Sequence, residues 1–339
     1  MNRIKGKFPV HGTQEEQIAF LLDALNASHS DDDTVELESL SGGITNSIYQ
    51  FNVGTRKHIV RVFGNNTDRI IEREEELNNI IKIGLIKVYA VFENGVIVSY
   101  QEGEPLTPTL MSEDSIMCKT AALIGKFHSK TRNDTEKHKN AIFEKIQNFI
   151  NKIDKDVIFN NEKCNVDQLQ ERFDQLKEKL MIHFKDADII LSHNDLLSGN
   201  ILYDGNNVNV IDYEYSSYTW PHFDIANHFF EMCGFEIDLN RYPSVEKQRR
   251  FIKIYLKNYY GEEQSDDVVE KWVKDIGDMV PLTCMYWGTW AYFQHSNSKV
   301  DFPYFEYAKN RIIFTKIRLP LPKDHKLMNE SPLVKSFKY

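Results

Sequence analysis

The chain has 339 residues, 41% of them hydrophobic, a formal net charge of -9 and four cysteines. That length exceeds what one hydrophobic core usually organises, so two lobes are expected, with apolar residues enough for a sizeable core. The acidic balance argues against a nucleic-acid groove, and no apolar run reaches the roughly 20 residues of a membrane span. Cys118, Cys164, Cys233 and Cys284 are scattered without metal-type spacing. No secretory leader is visible before them, so reduced thiols and a cytoplasmic location are expected.

From the N-terminus, Glu15–Leu25 has helical apolar spacing, and a strand-rich stretch runs from Val35 to Phe63. Val35–Leu40, Ser47–Val53 and His58–Phe63 are divided by Ser41-Gly42-Gly43 and Gly54-Thr55, which predicts a small antiparallel sheet. Paired glycines let backbone N–H groups approach phosphate oxygens, although a Gly-Gly turn alone is more often just a hairpin. In Ile59-Val60-Arg61-Val62-Phe63 one cation sits among apolar neighbours; in a kinase that is where the phosphate-clamping cation lies, and Arg would grip phosphate as a planar fork, the alternative being an arginine paired structurally at a sheet edge. Its counter-charge is expected from Glu75 or Glu76, in the acidic opening of a helix from Glu72 to Ile83. Strands Lys87–Phe92 and Val96–Tyr100 follow, and Gln101-Glu102-Gly103-Glu104-Pro105 reads as a hinge between lobes 1–103 and 104–339. The first ~30 residues and the tail after Pro320 carry no functional signal, and partial disorder is expected in both. Asp31-Asp32-Asp33 reads as a solvated turn.

Beyond the hinge, period-3.6 spacing marks helices near 112–131, 139–153, 165–184, 221–233, 244–260, 266–295 and 303–317. Among them lies Ser192-His193-Asn194-Asp195-Leu196-Leu197-Ser198-Gly199-Asn200, and Asp212 follows twelve residues after Asn200. An Asp, an Asn five positions later, and a hairpin leading to a second Asp is the protein-kinase order of base, metal-binding amide and metal-binding carboxylate. Asp195 is the base of that reading, and Asn200 and Asp212 are oxygen ligands suited to Mg²⁺. Asp204-Gly205-Asn206-Asn207 is the turn between strands Ile201–Tyr203 and Val208–Ile211. Glu214, two residues past Asp212 on an extended strand, would share its side and be a third acid. His193 reads as a brace for the loop. Asp-Phe-Gly and Ala-Pro-Glu are missing at the expected places, which disfavours a protein substrate.

Several stretches together resemble the choline/ethanolamine kinase family. They are Ile211-Asp212-Tyr213-Glu214-Tyr215-Ser216-Ser217-Tyr218, Phe223-Asp224-Ile225-Ala226-Asn227-His228-Phe229-Phe230-Glu231, Ser41-Gly42-Gly43-Ile44-Thr45-Asn46, Val60-Arg61-Val62-Phe63-Gly64 and Tyr286-Trp287-Gly288-Thr289-Trp290-Ala291. The resemblance covers about residues 35 to 317 and implies an α+β, protein-kinase-like fold: a small antiparallel-sheet N-lobe and a large, mainly helical C-lobe. It implies ATP and Mg²⁺ as cofactors, with Ser41, Gly42, Gly43, Thr45, Asn46 and Arg61 on the nucleotide, Arg61 being backed by Glu75 or Glu76. It also implies an amino-alcohol pocket of Tyr215, Glu231, Trp287, Trp290, Phe302 and Tyr307. Aromatic faces attract an ammonium and a carboxylate balances its charge. Asp195-Leu196-Leu197 resembles the ethanolamine kinases, since choline kinases usually carry Gln where Leu197 stands, and Glu231-Met232-Cys233-Gly234 leans the same way. The expected activity is ATP-dependent phosphorylation of ethanolamine, the first step of the CDP-ethanolamine route to phosphatidylethanolamine. Choline kinase is the alternative, because an aromatic cage also suits a quaternary ammonium. An antibiotic phosphotransferase or a catalytically silent homologue stands further off. Family members often dimerise, so a homodimer is consistent with the resemblance.

Overall fold

The computed structural model describes residues 1–26, 34–40, 46–63, 73–132, 138–154, 158–159, 162–298 and 300–329. The chain divides into two compact units, Met1–Glu102 and Gly103–Tyr339.

In the first unit the order is β1 (Asn2–Arg3), α1 (Gln14–Leu25), β2 (Val35–Leu40), β3 (Asn46–Val53), β4 (Arg56–Phe63), α2 (Arg73–Ile83), β5 (Val88–Phe92) and β6 (Gly95–Ser99). The strands form one sheet in the order β1-β5-β6-β4-β3-β2, antiparallel except where β1 joins β5 in parallel. Period-2 alternation buries His58, Val60 and Val62 of β4 and turns Arg61 to the other face. Helix α1 starts at a capping box in which Thr13 and Glu16 satisfy each other's backbone N–H groups.

The expectation of disorder near the N-terminus is corrected. Phe8, Leu21 and Ala24 are buried in one cluster with Phe51, Val60, Val62 and Phe92, so α1 and the segment before it cover one face of the sheet. Burying Phe8 and Leu21 contributes about 1.5–3 kcal/mol each, enough to order a short amphipathic segment. Asp31-Asp32-Asp33 lie outside the described residues, as does the chain beyond Asn329. The tail after Pro320 does include a short helix at Lys326–Asn329.

The second unit opens with β7 (Glu104–Pro105), α3 (Pro108–Met111), α4 (Asp114–Arg132), α5 (Ile142–Lys152), β8 (Ile158–Phe159), β9 (Glu162–Lys163) and α6 (Val166–His183). Then come β10 (Ile190–Ser192), β11 (Ile201–Tyr203), β12 (Val208–Val210), β13 (Ser217–Thr219), α7 (Pro221–Glu231), α8 (Val245–Tyr260), α9 (Asp266–Asn297), α10 (Tyr304–Ile313) and α11 (Lys326–Asn329). Helix α9 is the axis, packed by α5, α7, α8 and α10, while α4 packs on α8. Gly125 permits the latter approach, because a Cβ there would stand 2.6 Å from the Tyr255 carbonyl. Gly103 has φ +118 and a Cβ there would strike the backbone of Tyr203, so the start of this unit needs glycine. β7 then pairs with β11, the first strand of the hairpin that leads to Asp212.

Candidate active site

The loop between β10 and β11 carries Asp195 and is held from beneath by α7. Asp224, Asn227, His228 and Glu231 recur at helical spacing, so one face of α7 presents them together. Asp224 Oδ2 accepts the His193 N–H at 2.7 Å and Oδ1 accepts the Asn194 N–H at 2.5 Å. The His128 ring, 2.9 Å from Asp224, reaches Tyr255 Oη with its other nitrogen at 2.9 Å. Burial alone would raise the Asp224 carboxyl, but its hydrogen bond with His128, the nearby imidazoles and the His193 N–H hold it below the usual carboxylate range. Asn227 Oδ1 accepts the Leu196 N–H at 2.9 Å, and His228 Nδ1 donates to the Leu196 carbonyl at 3.3 Å.

His193 is the brace expected of it. Its Nε2–H donates to the Ile211 carbonyl at 2.9 Å, and Nδ1 accepts the Asp195 N–H at 3.2 Å. One nitrogen donating and the other accepting fixes a neutral tautomer. Burial depresses the ring's basicity in the same sense. Asn194 adopts φ 70 and donates to the Tyr215 carbonyl and Ser217 Oγ, both at 2.9 Å, which ties the loop to β13.

Asp195 is 6% exposed. Asn200 donates from Nδ2 to both its carbonyl and its Oδ2 at 2.9 Å. The Ile211 N–H donates to the Asn200 carbonyl at 3.0 Å, bringing the chain before Asp212 beside Asn200. Burial raises the Asp195 carboxyl well above its usual range, and the negative charges of Asp212, Glu231 and Glu214 push in the same direction, against the Asn200 hydrogen bond. Such crowding of acids favours a bound cation. Asn200 and Asp212 supply oxygen donors of the kind a hard divalent ion takes, so the residues fit a metal. The predicted strand through Glu214 is corrected: Asp212 has φ 64 and the Ser216 N–H closes a turn onto the Tyr213 carbonyl. Glu214 is therefore on a turn, and it reaches Asp195 through its charge rather than by sharing a strand face with Asp212.

The aromatic residues converge. Tyr215 meets Trp287 edge-on at 5.0 Å, Trp287 meets Trp290 at 5.3 Å, and Trp290 meets Tyr304 at 5.7 Å and Tyr307 at 6.4 Å. Phe302 joins through Tyr307 at 5.5 Å, and Phe235 through both. The charge of Asp195 acts on Tyr215, Tyr286 and Tyr307, so the cluster and the loop are neighbours. The indole nitrogens of Trp287 and Trp290 have no hydrogen-bond partner among the described residues. Glu231, read as the counter-charge of an ammonium, is already paired: Arg311 Nη2 lies 3.1 Å from its Oε1. Leu197 is half-buried between Asp195 and the turn Ser198–Asn200, its Cδ1 within 3.1 Å of where a Cβ on Gly199 would stand.

In the first unit Arg61 pairs with Glu76, their side chains 14% and 5% exposed. Glu75 is exposed. Ser41, Gly42, Gly43 and Thr45 lie outside the described residues, as does the side chain of Asn46. Asp224, His128 and Arg311 are functional candidates that sequence reading passed over. The spacing of Asp224, Asn227, His228 and Glu231 was their available signal; none foretold that His128 and Arg311 would come from other helices.

The fold and the order of residues in this loop are those of a protein-kinase-like phosphotransferase. The family model described as choline/ethanolamine kinase matches residues 37–316, and the chain belongs to that family. It is 33% identical over 274 residues to an ethanolamine kinase of Drosophila melanogaster, covering 74% of this chain and 52% of that protein. The chain thus spans about half the length of that relative. It is 32% identical over 302 residues to a probable ethanolamine kinase of Dictyostelium discoideum, covering 84% of this chain and 85% of the other. A choline kinase structure from Cryptosporidium parvum shares the fold with TM-score 0.76 at 22% identity, over 95% of this chain and 98% of that one.

Proposed function

We propose that this chain transfers the terminal phosphoryl group of ATP to the hydroxyl of ethanolamine, giving phosphoethanolamine, the entry to the CDP-ethanolamine route. The observation that carries the reading is a buried Asp195, oriented by Asn200, next to a cluster of aromatic rings and carboxylates. Asn200 engages Oδ2 of Asp195, and we assign Oδ1 to receive the hydroxyl proton as the oxygen attacks phosphorus. Asn200 and Asp212, with Glu214 nearby, would hold Mg²⁺, which when bound neutralises charge on the phosphate oxygens. Arg61, braced by Glu76, would grip phosphate as a planar fork, and Ser41, Gly42, Gly43, Thr45 and Asn46 would line the phosphate loop. Tyr215, Trp287, Trp290, Phe302 and Tyr307 would receive the ammonium through their ring faces, with Glu231 supplying an acceptor. A cytoplasmic enzyme, active as a homodimer, completes the proposal.

Ethanolamine over choline is supported by Leu197 and by the names of the Drosophila and Dictyostelium relatives, although the Cryptosporidium structure is of a choline kinase. Choline is the second reading, supported by the number of aromatic rings, since a quaternary ammonium needs a cage and no hydrogen-bond acceptor. A coupled ADP-release assay with Mg²⁺-ATP and either alcohol decides between them by kcat/KM. A preference for choline overturns the choice of substrate, and turnover of neither overturns the enzymatic reading.

A further inference from the structure

Glu231 closes α7 and Arg311 lies on α10, and the two are 3% and 1% exposed. Nη2 of Arg311 stands 3.1 Å from Oε1 and 3.2 Å from Oε2 of Glu231. The guanidinium lies 4.2 Å from the centre of the Tyr307 ring and 5.1 Å from that of Phe230, so two aromatic faces fix its orientation. A buried carboxylate without a cation takes up a proton, and burial does push Glu231 upward while the charge and hydrogen bond of Arg311 oppose the push. Both carboxylate oxygens meet the same guanidinium nitrogen. Each oxygen has two acceptor positions, so capacity remains for an ammonium N–H. The charge of Glu231 acts on Asp195 and on Tyr307, which puts the pair within electrostatic reach of the phosphoryl-transfer loop and of the aromatic cluster.

We propose that Arg311 is a positioning residue for the amino alcohol: without touching the substrate, it holds Glu231 as a fixed, charged acceptor for the ammonium end. The inference rests on the reading of this cluster as the amino-alcohol pocket, so the wild-type chain is assayed first. Turnover of neither ethanolamine nor choline removes that reading and this inference with it.

With an active wild type, the test is the steady-state kinetics of Arg311→Met, Arg311→Lys, Glu231→Gln and the double variant Glu231→Gln/Arg311→Met, each checked for folding by thermal melting. Arg311→Met is expected to raise the KM for ethanolamine about ten-fold or more, with the KM for ATP and kcat within about three-fold of wild type. Arg311→Lys keeps the charge and stays much closer to wild type. A folded Arg311→Met with wild-type KM overturns the proposal, as does an equal rise in both KM values. Arg311→Met leaves a lone buried carboxylate and can fail to fold; the double variant leaves no lone charge. Its KM for ethanolamine should match that of Glu231→Gln alone within about three-fold. A double variant clearly worse than Glu231→Gln, or one with wild-type KM, overturns the proposal.

Discussion

Asp195 is buried, hydrogen-bonded on one oxygen and crowded by other acids, an environment that favours its acting on a proton or beside a cation and not as a surface carboxylate. Replacing it by Asn keeps the shape and removes the basicity. Turnover by Asp195→Asn should fall by roughly 10²–10⁴-fold while calorimetry finds binding of an ATP analogue nearly unchanged; undiminished turnover would remove Asp195 as base. At Arg61 the structure separates two acids that sequence alone left equivalent, because Glu76 is buried against the guanidinium and Glu75 faces solvent. Glu76→Ala strands a largely buried cation and should cost about 3–5 kcal/mol in urea unfolding, with a raised KM for ATP. Glu75→Ala should stay within about 0.5 kcal/mol of wild type. Equal effects from the two substitutions would refute the assignment.

At the scale of elements, the loop depends on α7, whose Asp224 receives two backbone N–H groups and the His128 ring at once. Its carboxyl lies below the ordinary range, so the stability it contributes is complete above the unfolded value near 4 and is lost as pH falls through the lower folded value. Asp224→Asn should therefore destabilise the chain by about 3–5 kcal/mol at neutral pH, a gap that narrows as urea titrations are taken below about pH 4. A gap independent of pH would mean that the charge of Asp224 is not what holds the loop. The hairpin β11–β12 was legible because Asp204-Gly205-Asn206-Asn207 is turn chemistry between two apolar runs. Its continuation was not. Alternation from Asp212 to Glu214 presumes extended backbone, and the left-handed φ of Asp212 breaks that presumption. Likewise, helical spacing foretells that Asp224, Asn227, His228 and Glu231 share a face, but not that the face lies against the Asp195 loop.

Across the whole molecule, most helices follow from apolar period. The role of the N-terminal segment does not, because Phe8 finds its partners among residues dozens of positions away in the sheet. The same non-local burial gives the second unit an acid sensitivity that its composition does not reveal. Desolvation lowers His222 to about 3 and His228 to about 4, so both are neutral when folded at pH 5. In the unfolded chain they protonate near the ordinary value of about 6.5. The unfolded state then binds more protons, so their contribution is whole above about pH 6.5 and is lost progressively as pH falls toward the folded values. Each should add roughly 1.4 kcal/mol of destabilisation per pH unit within that window. His222 isolates the effect. Its ring stacks on Trp272 at 4.0 Å, and neither nitrogen has a hydrogen-bond partner among the described residues. Phe in its place keeps the ring and removes the titration. His222→Phe should be at least as stable as wild type at pH 7, and its urea midpoint should fall less steeply between pH 6.5 and 5. Parallel slopes for the two proteins would mean that His222 gains access to protons in the folded state, and that its burial does not set the acid limit.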